Sequence, residues 1–206
     1  GVLGEEAGES AAQGDFPRYR WVIDPIDGTR AFITNCFLFG SLIALERDEG
    51  SGWRPILGSI SHPAAGVALI GHQGQTRLYQ ADGSERVLRV RACAAIEAAT
   101  VLASSYWGSS EQAAAPNVAR IEVLARRAKL FRTWGDAFGY FALATGGADV
   151  MLDPVLSYWD VAALVPVIEG AGGTVTSWSG GNPLGEPSMI ATAGPLHEKV
   201  LALLGA

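Results

Sequence analysis

The chain has 206 residues, enough for one large domain or two closely packed lobes. Hydrophobic residues make up 49% and charged residues 17%, a balance that excludes disorder over most of the length. Fifteen lysines and arginines stand against 21 aspartates and glutamates, a net charge of −6, which argues against a nucleic-acid partner.

Residues 7–15 are small and polar and read as a mobile loop. Residues 21–24 form an apolar run that Pro25 should stop, so a strand is expected to end at Asp24. Strands are predicted over residues 39–46, 54–61 and 67–70, with a turn at 71–74, and shorter ones at 87–90 and 100–104. A helix follows over 112–128 and a strand over 129–132. Residues 135–145 read as a helix ended by Gly146 and Gly147. Beyond them come a strand (148–152), a helix (157–171) ended by Gly172 and Gly173, strands at 174–177 and 189–192, and a last helix over 195–204. The second half alternates strand and helix, which predicts an α/β layer, and the first half is richer in strands. This gives an N-terminal strand-rich α+β lobe over residues 1–92 and a C-terminal α/β lobe over 93–206.

The longest stretch without a charged side chain, residues 55–76, is broken by His62, Pro63, His72 and several glycines, so it does not read as a membrane span. The first residues show no basic segment followed by an apolar one, so no signal peptide is expected. Cys36 and Cys93 read as two reduced core thiols of a cytoplasmic protein. The glycine-rich stretches 170–173 and 180–181 follow a helix, whereas a dinucleotide-binding loop follows a strand. The three histidines lack metal-ligand spacing.

The segment WVIDPIDGTRAF, residues 21–32, is the most informative. Asp24 and Asp27 stand three apart with Pro25 between them, so they cannot lie in mid-helix and can converge from one turn. Hard cations such as Mg²⁺ take carboxylate and carbonyl oxygens, and the carbonyl of Ile26 lies between the two acids. Gly28 and Thr29 then open helix-compatible residues, where backbone N–H groups favour an anion. The bland alternative is an Asx turn in which both acids satisfy local N–H groups. Glu5 and Glu6 alone read as solvated surface, and Asp160 alone as a first-turn helix acid.

Taken together, LGEE at 3–6, DPIDGT at 24–29, and WDVAA at 159–163 followed by AGG at 171–173 resemble the inositol monophosphatase family, in the family's order and over essentially the whole chain. The resemblance implies the layered α/β sandwich shared with fructose-bisphosphatases and a Mg²⁺-dependent phosphate monoester hydrolase working with two or three ions. It implies metal ligation by Glu5, Asp24, Asp27, Asp160 and the Ile26 carbonyl, with Asp24 bridging. It further implies phosphate contacts from Gly28 and Thr29, a Thr29 hydroxyl that orients the attacking water, and a substrate contact from Asp153.

DGTRAFI, FGSLIAL, WGDAFGY and YWDVAALVPVIEGAGGTVTSW resemble the histidinol-phosphate phosphatase branch, which implies a role in histidine biosynthesis and assigns Arg30 and Asp136 to substrate selection. Alternatively, Asp136 is a helix N-cap and Arg30 a surface cation. The runner-up substrates are inositol monophosphate or a broad range of small phosphate esters. A reading of another class is a catalytically weak relative that acts as a binding partner. The family implies a homodimer. The chain departs from it at Asn35, Cys36 and Phe37, where a Gly-x-Pro-like turn is usual, and the N-terminal lobe is expected to lack the helices that precede the GEE residues in relatives.

Overall fold

The computed structural model describes residues 1–206 except 7, 11–17, 105–113, 187 and 206, and only the backbone of 114–118. A first sheet of eight strands comprises β1 (Val2–Gly4), β2 (Gly8–Ser10), β3 (Tyr19–Asp27), β4 (Gly40–Asp48), β5 (Trp53–His62), β6 (Val67–His72), β7 (Gln75–Gln80) and β8 (Glu85–Val87), in the order β2-β1-β3-β4-β5-β6-β7-β8. From β3 to β8 it is an antiparallel meander, and β1 joins β3 in parallel. The short helix α1 (Thr29–Ile33) follows β3.

A second sheet of five strands is built from β9 (Thr100–Ala103), β10 (Leu130–Arg132), β11 (Val150–Asp153), β12 (Gly173–Thr176) and β13 (Met189–Ala193), in the order β10-β9-β11-β13-β12. Here β9, β10 and β11 run parallel, while β13 is antiparallel to β11. The helices α3 (Asp136–Ala144) and α4 (Tyr158–Gly170) pack between the two sheets. The helices α2 (Ala114–Arg127) and α5 (His197–Leu204) cover the far side of the second sheet.

Strand periodicity explains the layering. Alternate residues of the second sheet face opposite ways, so Leu102 and Met151 join one core with Leu42, Ile60 and Leu69 of the first sheet. Their neighbours Val101, Ala103, Val150 and Leu152 join another with Ile121, Leu124 and Val200. The two sheets therefore share a core through α3 and α4. On the outer face of the first sheet Trp21 and Ile43 are exposed.

The helix α4 crosses the first sheet over a row of small residues, Val22, Ala44, Gly58, Gly71 and Thr76, which are cross-strand neighbours. A side chain at Gly58 would put its Cβ 2.0 Å from the carbonyl oxygen of Ala163. At the far end the Thr76 hydroxyl donates to the Val167 carbonyl at 2.7 Å.

Several expectations are corrected. Residues 8–10 form β2 rather than loop, paired to β1, while Ala7 and residues 11–15 of that segment lie outside the described residues. β3 runs through Pro25 to Asp27, because a register irregularity between Asp24 and Asp27 accommodates the proline at a bulge. The strand expected at 87–90 lies at Glu85–Val87, and β7 emerges from a polar sequence because its partner β6 supplies the ladder. The helix predicted over 112–128 is described from Ala114. Cys36 is exposed after α1 rather than in a core, whereas Cys93 is buried. No helix among the described residues is long and apolar enough to cross a membrane.

Replacing Gly58 by alanine should force α4 off the sheet, a cost of about 1–3 kcal/mol. Thermal unfolding should show Tm lowered by about 2–4 °C per kcal/mol.

Candidate active site

The segment from Asp24 to Thr29 is held by its own backbone. The Ile26 N–H donates to Asp24 Oδ1 at 2.9 Å, the Ser41 hydroxyl to the Pro25 carbonyl at 2.7 Å, and the Thr29 hydroxyl to the Ile26 carbonyl at 3.1 Å. Gly28 precedes α1 with φ +80°, a conformation that an L side chain adopts only with strain. A Cβ there would also lie 3.1 Å from Asp136 Oδ2. The Asx turn weighed from the sequence is therefore present at Asp24, yet it uses only one carboxylate oxygen. With five residues, α1 offers first-turn N–H groups rather than an extended dipole.

Asp160 is the third residue of α4, and its Oδ2 accepts the Ser157 N–H at 2.8 Å, the first-turn role expected of it. The Asp160 carboxylate also reaches Asp24. Asp27 accepts the Ala137 N–H at the start of α3 through a short bond. These three acids come from β3 and α4, yet Asp24, Asp27 and Asp160 each offer an oxygen, and the three oxygens lie within 4.8 Å of one another.

Burial, with help from neighbouring acids, raises the pKa values here. Burial, then the nearby Glu5 and Asp160, push Asp24 up to about 7. Burial pushes Asp160 up to about 6, against the Ser157 hydrogen bond, which favours its charged form. Asp27 is raised well above the usual carboxylate range, by burial first and then by Asp136, Asp160 and Asp24. Oxygen-only donors that repel one another when charged fit a hard divalent cation, and ligation would deprotonate them.

Glu5 lies in the β1–β2 turn, outside that trio but beside Asp24, with its N–H donating to Ile23 at 3.2 Å. A cleft of about 350 Å³ adjoins the acids, lined among others by Gly28, Thr29, Arg30, Asp136, Asp153 and Asp160. Asp153 is 3% exposed at the end of β11, where the Ser104 hydroxyl donates to Oδ1 at 2.5 Å. The Trp178 indole N–H donates to the Asp153 backbone carbonyl at 3.0 Å. Burial pushes the Asp153 carboxyl well above its usual range, with the Ser104 bond pulling it back.

Asp136 is the first residue of α3, with φ +52°, and Gly135 holds the cap position expected for Asp136. That φ places a non-glycine residue in the left-handed region, beside Gly28. Burial pushes its pKa up and the positive charge of Arg30 draws it down. Arg30 is exposed, as a surface cation would be, and faces the same cleft.

Ser104, Pro154, Val155 and Leu156 also line the cleft and are not singled out by their sequence context. Parallel strands bind ligands beyond their carboxyl ends, and Ser104 and Asp153 follow or close the neighbouring parallel strands β9 and β11. That topological signal needs the strand order, which local periodicity does not carry.

Comparison with known proteins shows the family. The model of the inositol monophosphatase family matches residues 1–206. The chain is 37% identical over 193 residues to the chloroplastic bifunctional phosphatase IMPL2 of Arabidopsis thaliana, covering 93% of this chain and 52% of that protein. It is 35% identical over 208 residues to the histidinol-phosphatase of Mycobacterium tuberculosis, covering 100% of this chain and 76% of that protein. An inositol monophosphatase from Zymomonas mobilis superposes with TM-score 0.82 at 30% identity, covering 100% of this chain and 75% of that one. The chain thus spans about half the length of the plant relative and about three quarters of the two bacterial ones. The chain belongs to the inositol monophosphatase family, whose members are metal-dependent phosphoric monoester hydrolases.

Proposed function

We propose that this chain hydrolyses histidinol phosphate to histidinol and phosphate, using Mg²⁺. The observation that carries the reading is the convergence of Asp24, Asp27 and Asp160 beside the Gly28–Thr29 turn, in a chain 35% identical to a histidinol-phosphatase. Asp24, Asp27 and Asp160 would hold the cations, with Glu5 and the Ile26 carbonyl as further oxygen donors at the edge. When bound, such ions neutralise phosphate charge, lower the pKa of water and stabilise the leaving oxygen.

The chain's own groups supply position. The Thr29 hydroxyl donates to the Ile26 carbonyl, which leaves its lone pairs to accept a hydrogen bond from the attacking water and aim it at phosphorus. First-turn N–H groups of α1 receive the phosphoryl oxygens. Asp136 and Asp153 present carboxyl groups to the rest of the substrate, which suits an alcohol bearing an amine and an imidazole. Arg30 balances the charge at Asp136.

The discriminating experiment is phosphate release from histidinol phosphate, inositol monophosphate and a simple aryl phosphate, with Mg²⁺ and with EDTA. Histidinol phosphate should have the highest kcat/KM, and EDTA should abolish turnover. Comparable rates on all three would leave only a general phosphatase, and no turnover on any ester would favour a binding role.

Asp24→Asn should lower kcat/KM by three orders of magnitude or more, about 4 kcal/mol, with circular dichroism unchanged. Asp136→Asn should lower kcat/KM for histidinol phosphate about 10–100-fold, the worth of a charge-assisted hydrogen bond, and leave the aryl phosphate nearly unaffected.

Raised carboxylate pKa values favour the protonated folded protein. Without divalent metal, that contribution is complete below the unfolded pKa of about 3.9. It is lost as pH rises through about 6 and about 7, the values for Asp160 and Asp24. In EDTA, Tm should therefore fall across this window, and the fall should be shallower in Asp24→Asn. Mg²⁺ should raise Tm more at pH 8 than at pH 5, because protons compete for the same oxygens.

A further inference from the structure

On one face of the first sheet, Arg20, Val22 and Asp24 of β3 lie opposite Glu46, Ala44 and Leu42 of β4. The helix α4 crosses the middle pair, Val22 and Ala44, leaving Arg20 and Glu46 on one flank and the acidic cluster on the other. Successive helical residues turn by about 100°, so Tyr158 and Asp160, two apart, point to nearly opposite flanks.

Tyr158 uses its flank fully. Its hydroxyl donates to Glu46 Oε1 through a short bond, while Arg20 Nε donates to Glu46 Oε2 at 2.7 Å. The Glu46 side chain is 0% exposed, so both of its oxygens are satisfied inside the protein. The Arg20 guanidinium lies 4.5 Å from the Trp53 ring centroid and 5.5 Å from that of Tyr158. Its other arm reaches Glu9 at 3.4 Å, on the hairpin whose turn carries Glu5.

A fully buried carboxylate costs several kcal/mol in desolvation, and its best-attested use is to specify register rather than to stabilise. Here the register in question is the roll of α4 about its own axis. Rolling the helix would leave Glu46 half-satisfied, and the same roll would carry Asp160 away from Asp24.

We propose that Glu46 is a positioning residue for the metal site: by gripping Tyr158 and Arg20, it fixes the start of α4 so that Asp160 meets Asp24 and Asp27. The inference rests on the metal-site reading given above. Glu46 and Tyr158 are not among the described residues that line the substrate cleft.

The test measures Mn²⁺ binding by calorimetry, alongside Tm and kcat/KM, for wild type, Tyr158→Phe, Glu46→Gln and Asp149→Asn. Tyr158→Phe removes only the hydroxyl and keeps the ring, so it should fold even if Glu46→Gln does not. Asp149 is the control: it is a fully buried carboxylate paired with Arg91 and the Thr100 N–H, just before the start of β11 and away from the acids. Tyr158→Phe should weaken Mn²⁺ binding about 3–10-fold, less than the ~10–100-fold typical when a partner touches a metal ligand directly, with a matching loss in kcat/KM. Asp149→Asn should lower Tm and leave Mn²⁺ affinity unchanged. Unchanged affinity in Tyr158→Phe, or an equal loss in Asp149→Asn, overturns the positioning role alone. Absence of Mn²⁺ binding in wild type overturns the metal-site reading and the positioning role with it.

Discussion

Three carboxylates held within 4.8 Å of one another set the terms for the rest of this molecule. Burial first, and the charge of neighbouring carboxylates after it, raises the pKa values of Asp24, Asp27 and Asp160. A fold keeps such an arrangement only if each acid is anchored independently of the others. Asp24 is tied to the Ile26 N–H, Asp27 to the Ala137 N–H at the start of α3, and Asp160 to the Ser157 N–H. Each anchor favours the charged form, and one oxygen of each acid lies within 4.8 Å of the other two.

The architecture supplies the frame. The bulge near Pro25 ends β3 with two acids on one short segment, while the small-residue row of the first sheet seats α4 so that its first turn arrives beside them. The second sheet contributes through the carboxyl ends of parallel strands, where Ser104 and Asp153 close the cleft. Because both sheets share one core through α3 and α4, the site lies across a packed interior rather than a hinge.

Much of the site was legible in the chain itself. Pro25 between Asp24 and Asp27 rules out a helix, and the helix-breaking glycines after residues 145 and 171 mark the second half as α/β. Other features needed three dimensions. Pro25 inside a strand is explained only by the bulge, and β7 only by the neighbour that pairs with it. The strained φ of Asp136 and the approach of Asp136 to Gly28 join residues more than a hundred apart in sequence. Cys36 reads as a core thiol, yet it is exposed in the loop after α1. Glu46 closes a predicted strand, and its buried pairing depends on Arg20 and Tyr158 arriving from two other elements.

Crystals of the protein soaked with Mn²⁺ and phosphate, read by anomalous scattering, test the central claim most directly. The account predicts anomalous density at coordination distance from Asp24, Asp27 and Asp160 together, with phosphate beside Gly28 and Thr29. Strong density elsewhere, with these three side chains unligated, would contradict it.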